Sequence, residues 1–209
     1  MVAAGCHAGW TRHGNRDPLG PPDVAAYIRS LENPRRDAYQ KPDEVIRTLA
    51  VPADALVADV GCGPGYFTRR LARAVPRGVV FAVDVEPRQL DRLAEHLHAD
   101  GAVNVVPVLG RVDDPHLPPG WFDLVLVVDT YHHFEDRPVY LQTLARALKA
   151  GGRLVIIDYH KRAMPVGPPI THKMAREQVL DEVRASGFQL IDEPTFLPYQ
   201  YFLIFGLGS

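Results

Sequence analysis

The chain has 209 residues, enough for one domain with a full hydrophobic core. It is 46% hydrophobic and 23% charged, with a net charge of -2 and no long block of Lys or Arg, which disfavours a nucleic-acid partner. The two cysteines, Cys6 and Cys62, form no CxxC pair, so a disulfide framework and a zinc site are both disfavoured and a cytoplasmic, reducing location is expected.

Residues 1–10 lack a charged stretch followed by an apolar run, so no signal peptide is expected. No apolar stretch approaches the ~20 residues that span a bilayer. Residues 14–22 are rich in Gly, Pro, Asn and Asp, the chemistry of a loop. Residues 24–31 suit two helical turns, and Asn33-Pro34 and Lys41-Pro42 punctuate the segment after them. Residues 1–40 therefore read as an appendage, with Trp10, Tyr27 and Tyr39 as candidates for a lid, and 41–209 as the domain proper.

From there the pattern is regular. A helix is predicted over 42–50, with Pro42 and acids in its first turn. An apolar strand at 56–60 leads to a helix over 66–75 and a strand at 79–83. The helix over 87–98 places Leu90, Leu93, Ala94 and Leu97 at the three-four spacing. Strands are predicted at 103–109 and 122–128, then a helix over 137–149 closed by Gly151-Gly152. A strand at 153–157, a helix over 175–186 stopped by Gly187, and strands at 188–192 and 199–205 complete the chain. The alternation predicts an α/β fold, a parallel sheet with helices on both faces. The link 193–198 is too short for a parallel crossover, so the last strand is expected to run antiparallel.

The first strand ends in Asp59-Val60-Gly61-Cys62-Gly63-Pro64-Gly65-Tyr66. Glycines in such a turn let backbone approach a ligand closely. The spacing is G-x-G-x-G, and Tyr66 stands where a dinucleotide site wants its third glycine, which disfavours a nicotinamide oxidoreductase. Asp59 suits an ammonium group, and the N–H groups of the loop suit a carboxylate. Asp84, with Val85 after it, ends the second strand about 20 residues past the glycines, where an acid accepts from ribose hydroxyls. Asp129, Tyr131, His132 and His133 come after the fourth strand, at the edge where open α/β sheets bind ligands. Tyr131, His132 and His133 are the catalytic candidates, since His is a natural base near neutral pH; loop packing is the plainer role weighed against it. Asp129, His133, His160 and His172 match no compact ligand spacing, so no metal is expected. His160, Lys161 and His172 read as a stiff Pro-rich loop, and Tyr199, Tyr201, Phe202 and Phe205 as strand formers. Cys62 reads as a small, unreactive loop residue.

Together these residues resemble the class I S-adenosylmethionine-dependent methyltransferases, in the broad group that includes ubiquinone-biosynthesis-type C-methyltransferases. The resemblance rests on residues 59–65, Asp84, Phe122-Asp123-Leu124-Val125, Tyr131-His132-His133-Phe134 and residues 148–154, and covers roughly 41–205. It implies a Rossmann-like seven-stranded, mostly parallel sheet of order 3-2-1-4-5-7-6 with the seventh strand antiparallel. It also implies S-adenosylmethionine as cofactor, with S-adenosylhomocysteine as product, held by Asp59, Gly61, Gly63, Gly65, Asp84, Val85 and Asp129. Such proteins often carry Gly-Asp-Ala-x-x-Leu-Pro after the third strand. This chain departs from that with Gly110-Arg111-Val112-Asp113-Asp114-Pro115-His116-Leu117-Pro118, so Val112 and Asp113 or Asp114 are expected near adenine. The implied reaction is methyl transfer by in-line displacement onto a small molecule, because the domain takes up nearly all of the chain. A nucleic-acid methyltransferase and a non-catalytic S-adenosylmethionine-binding regulator are the alternatives. A monomer or homodimer is expected.

Overall fold

The computed structural model describes residues 23–208, so Trp10 and the loop expected at 14–22 lie outside the described residues. Seven strands, β1 (Leu56–Val60), β2 (Val79–Asp84), β3 (Val105–Leu109), β4 (Phe122–Val128), β5 (Leu148–Tyr159), β6 (Phe188–Asp192) and β7 (Gln200–Leu207), form one sheet. Their order is β3-β2-β1-β4-β5-β7-β6. The first five pair in parallel, and β7 runs antiparallel between β5 and β6, as expected.

The helices are α1 (Val24–Leu31), α2 (Asp37–Gln40), α3 (Pro42–Leu49), α4 (Thr68–Ala74), α5 (Pro87–Asp100), α6 (Arg137–Ala147) and α7 (Arg176–Ala185). Side chains of a strand alternate between faces, and both faces of this sheet are apolar. Ala58, Val125, Val127 and Ile156 pack with Leu141 and Leu144 of α6 and Val179 and Val183 of α7. Val57, Leu124, Leu126 and Val155 pack on the other side with Val45 and Leu49 of α3 and Leu71 of α4. Each fully buried aliphatic side chain of this kind contributes about 1.5–3 kcal/mol. Four acids stand where the central strands emerge: Asp59, Asp84 and Asp158 near the carboxyl ends of β1, β2 and β5, and Asp129 just after β4. The sheet thus carries four carboxylates to one edge, on either side of the β1–β4 switch in strand order, where ligands of open α/β sheets bind.

Several boundaries differ from expectation, β5 most, which spans Leu148–Tyr159 against the expected 153–157. The glycine turn absorbs Tyr66 and Phe67, so α4 begins at Thr68 rather than 66. β3 begins at Val105, and Val103 is 96% exposed. The helix expected to reach 149 and stop at Gly151-Gly152 ends at Ala147, and Leu148 already pairs with Phe122 in the sheet. The N–H groups of Gly120 and Trp121 bond the carbonyls of Arg146 and Ala147, so the segment entering β4 satisfies the helix end in place of a glycine cap.

Candidate functional site

A cavity of about 660 Å³ opens at the carboxyl edge of the sheet. Its first wall is the turn leaving β1. The Asp59 side chain, 2% exposed, accepts a hydrogen bond from Thr68 Oγ1 at 2.6 Å. Burial pushes its carboxyl up from 3.8 to about 6. Gly61 sits at φ +77°, and a Cβ there would stand 2.2 Å from Thr130 Oγ1, so the turn needs glycine both for its backbone and for the approach of the β4 end. The N–H groups of Gly61 and Cys62 bond the carbonyl of Val83, tying the turn to β2. Asp84 completes the tie: its Oδ2 accepts from the Gly63 N–H at 2.9 Å and its Oδ1 from the Glu86 N–H at 3.0 Å. Burial raises its pKa. Gly61, Gly63, Asp84 and Val85 all line the cavity. Gly65 does not; it faces α5, where a Cβ would meet Leu93 Cδ1 at 2.4 Å. Burial raises the Cys62 thiol, followed by the charges of Asp84 and Asp59, which keeps it unreactive.

The segment after β3 is placed differently from expectation. Arg111 and Val112 line the cavity, but Asp113 does not. The Asp113 carboxylate is exposed and paired with Arg111 at 3.1 Å, and Asp114 Oδ1 accepts from the His116 N–H. Both acids serve their own loop.

The 3-10 turn Tyr131–His133 separates the three catalytic candidates. Tyr131 is fully buried, outside the cavity lining, and donates to Glu182 Oε2 at 2.9 Å, which removes it as a catalytic candidate. His132 and His133 line the cavity with rings 4.1 Å apart. Their environments push them in opposite directions. His132 Nδ1 lies 2.8 Å from Oδ2 of the fully buried Asp158; burial opposes the imidazolium, but the carboxylate outweighs it and the pKa is raised. His133 is pulled down to about 3, by burial first, then by the neighbouring charges of His132 and His172.

Asp129, at φ +52°, links three parts of the chain. It accepts from Gln40 Nε2 of α2 and Gln200 Nε2 of β7, both at 2.7 Å. Burial, then the charge of Asp158, pushes its carboxyl up to about 7. Val24, Tyr27 and Leu31 of α1 and Arg36 line the same cavity. Tyr39 does not; its ring packs against Tyr199 at 5.9 Å. Tyr201, Phe202 and Phe205 lie in the core, and His160 stands outside the lining, its ring 5.7 Å from that of Tyr201. Among the described residues no group of three His, Cys, Asp or Glu is placed to hold a metal ion, and no helix is long and apolar enough to cross a membrane.

Gln40, Asp158, Gln89 and Lys173 are among the contributors that escape the sequence reading. Asp158 carries a usable signal, an acid at a strand's carboxyl end like Asp59 and Asp84. Gln89 is 3% exposed, lines the cavity and has a buried Oε1 without a hydrogen-bond partner among the described residues.

Known proteins agree with this architecture. Residues 57–152 match the family model described as "Methyltransferase domain". The chain is 26% identical over 169 residues to the uncharacterized methyltransferase YdaC of Bacillus subtilis, covering 81% of this chain and 88% of that protein. It is 28% identical over 196 residues to 2-methyl-6-phytyl-1,4-hydroquinone methyltransferase of Synechocystis, covering 88% of this chain but only 56% of that longer relative. A solved S-adenosylmethionine-dependent methyltransferase from Aquifex aeolicus superposes with a TM-score of 0.82 at 24% identity, over 86% of this chain and 96% of that one, a likeness of fold.

Proposed function

We propose that the chain is a class I S-adenosylmethionine-dependent methyltransferase and that it methylates a small molecule by in-line displacement, with His132 taking the acceptor's proton. The observation that carries this reading is the pairing, in one cavity, of a glycine turn built around a suppressed carboxylate with a carboxylate-backed histidine.

The residues present fit the cofactor. Asp59 is buried with no cationic partner among the described residues, and burial raises its pKa; an ammonium group would favour its ionised form. The backbone of the turn at Gly61 and Gly63 lines the cavity, where a carboxylate would approach it. Asp84 uses its two oxygens for backbone N–H groups, and a carboxylate has further lone pairs for ribose hydroxyls. The unpartnered Gln89 Oε1 would accept from a ribose hydroxyl or an exocyclic amine. Val85 and Val112 supply apolar wall, in place of the acid expected near adenine. When bound, S-adenosylmethionine supplies a methyl group already activated on a sulfonium sulfur.

The chain's own task is then to align the acceptor, exclude water and move a proton. Asp158 engages Nδ1 of His132, which leaves Nε2 for the acceptor and strengthens it as a base. His133, held neutral with a pKa of about 3, is a much weaker base and forms wall. Gln40 ties the first described helices to Asp129, which lines the cavity.

Calorimetry with S-adenosylhomocysteine and NAD tests the reading. Tight binding of the first and none of the second is expected, together with transfer of labelled methyl from S-adenosylmethionine to a member of a small-molecule panel. A chain that ignores S-adenosylhomocysteine would overturn it.

A further inference from the structure

The acceptor end of the cavity holds a charge the methyl-transfer reading does not use. Lys173 comes directly after the 3-10 turn Ile170–His172 and lines the cavity, yet its side chain is only 3% exposed. Its ammonium donates to the carbonyl of Arg162 at 3.1 Å and lies 5.7 Å above the Tyr159 ring. Among the described residues no carboxylate stands within ion-pair distance of it. An ammonium has three donors, and a buried one is costly unless paired with an anion. The nearby acids have other duties: Asp158 holds His132 Nδ1 and accepts from the Tyr159 N–H, and Glu182 pairs with Arg137. Lys161 lines the same cavity and adds to its positive character. Burial pulls the Lys173 pKa down and Asp158 opposes it, as for an ammonium awaiting a counter-charge.

We propose that the methyl acceptor carries a carboxylate or phosphate group and that Lys173 receives it in the cavity shared with His132. This rests on the function proposed above and names the acceptor's chemical class. The anion would pair with Lys173 while a separate hydroxyl or amine of the same molecule meets His132, which selects acceptors with both groups on a small frame.

The test uses the S-adenosylhomocysteine-loaded protein and two pairs of probes: 4-hydroxybenzoate against 4-hydroxybenzamide, and 4-hydroxyphenyl phosphate against hydroquinone. Calorimetry should show one anionic member binding about tenfold more tightly than its neutral partner, as a charge-assisted hydrogen bond requires. The pair that discriminates tells carboxylate from phosphate. Lys173→Gln should abolish that preference while binding S-adenosylhomocysteine within about twofold of the unaltered chain. Lys173→Arg should retain part of the preference. Equal binding within both pairs overturns the proposal, as does absence of binding by either anionic probe at millimolar concentration. So does a preference that survives Lys173→Gln, or a loss of S-adenosylhomocysteine affinity in that variant, which would assign the lysine to the methionine carboxylate. An unaltered chain that fails to bind S-adenosylhomocysteine refutes the parent reading instead, so the two failures are distinguishable. The probe pairs on the unaltered chain decide the matter even where a variant fails to fold.

Discussion

Replacing Asp59 with asparagine should separate what the site costs the fold from what it does for the ligand. Burial, with the charge of Asp84 adding to it and the Thr68 hydrogen bond opposing it, lifts the Asp59 carboxyl from 3.8 to about 6. One pKa unit is ~1.4 kcal/mol, so holding this group ionised at pH 7 costs the fold about 3 kcal/mol. The sign comes from proton counting. Between 3.8 and about 6 the folded state binds more protons at this site than the unfolded chain does, so stability falls as pH rises through that window. Asp59→Asn keeps an acceptor for Thr68 and removes the charge. Its melting temperature should exceed that of the unaltered chain at pH 7, by about 10 °C at most for a chain of this size, and match it at pH 4.

Cofactor binding should move the other way. An ammonium group pairs with the ionised form, and at pH 5 only about one molecule in ten carries Asp59 ionised if its pKa is near 6. The Kd for S-adenosylhomocysteine should therefore be about tenfold higher at pH 5 than at pH 7. Asp59→Asn should bind more weakly at pH 7 and lose this part of the pH dependence. Asp129 and His132 titrate in the same cavity, so the difference between the two proteins, measured by calorimetry and thermal melts from pH 4 to 8, isolates Asp59. Identical pH profiles for both proteins would refute the assignment of Asp59 to the ammonium.

His132→Ala should slow methyl transfer by about 10²–10⁴-fold with little change in S-adenosylhomocysteine affinity, whereas His133→Ala should cost much less; equal losses would argue for a packing role in both. Asp158→Asn removes the carboxylate that raises the His132 pKa, so the acid limb of the kcat profile should shift to lower pH as the plateau rate falls. An unmoved limb would detach Asp158 from the proton transfer. Asp84→Ala loses the acceptor for the Gly63 and Glu86 N–H groups as well as the proposed ribose contact, and should weaken S-adenosylhomocysteine binding by tenfold or more in calorimetry.

The parts of the site legible in the sequence are those made by one local unit. The turn 59–65 and Asp84 announce themselves because a strand, a glycine-rich turn and a helix are consecutive, and the acid that ties them stands at the next strand's end. The end of α6 is not legible, because its cap comes from Gly120 and Trp121, which precede the helix by a strand and a loop. Tyr131 misleads for a different reason: a three-residue 3-10 turn sends adjacent side chains in different directions, so proximity in sequence to His132 says nothing about facing the cavity. Gln40 meets Asp129 across 89 residues, and Lys173 joins the cavity from a loop with no periodicity to read. The proposed cofactor end is therefore one motif, while the proposed acceptor end is a convergence of α1, the β4 and β5 ends and the loop before α7. Nothing local marks such a convergence. Its chemistry emerges only when charges are paired off in three dimensions and the buried Lys173 ammonium is left with no anion among the described residues, which is why the proposed acceptor class rests on it and not on any string of residues.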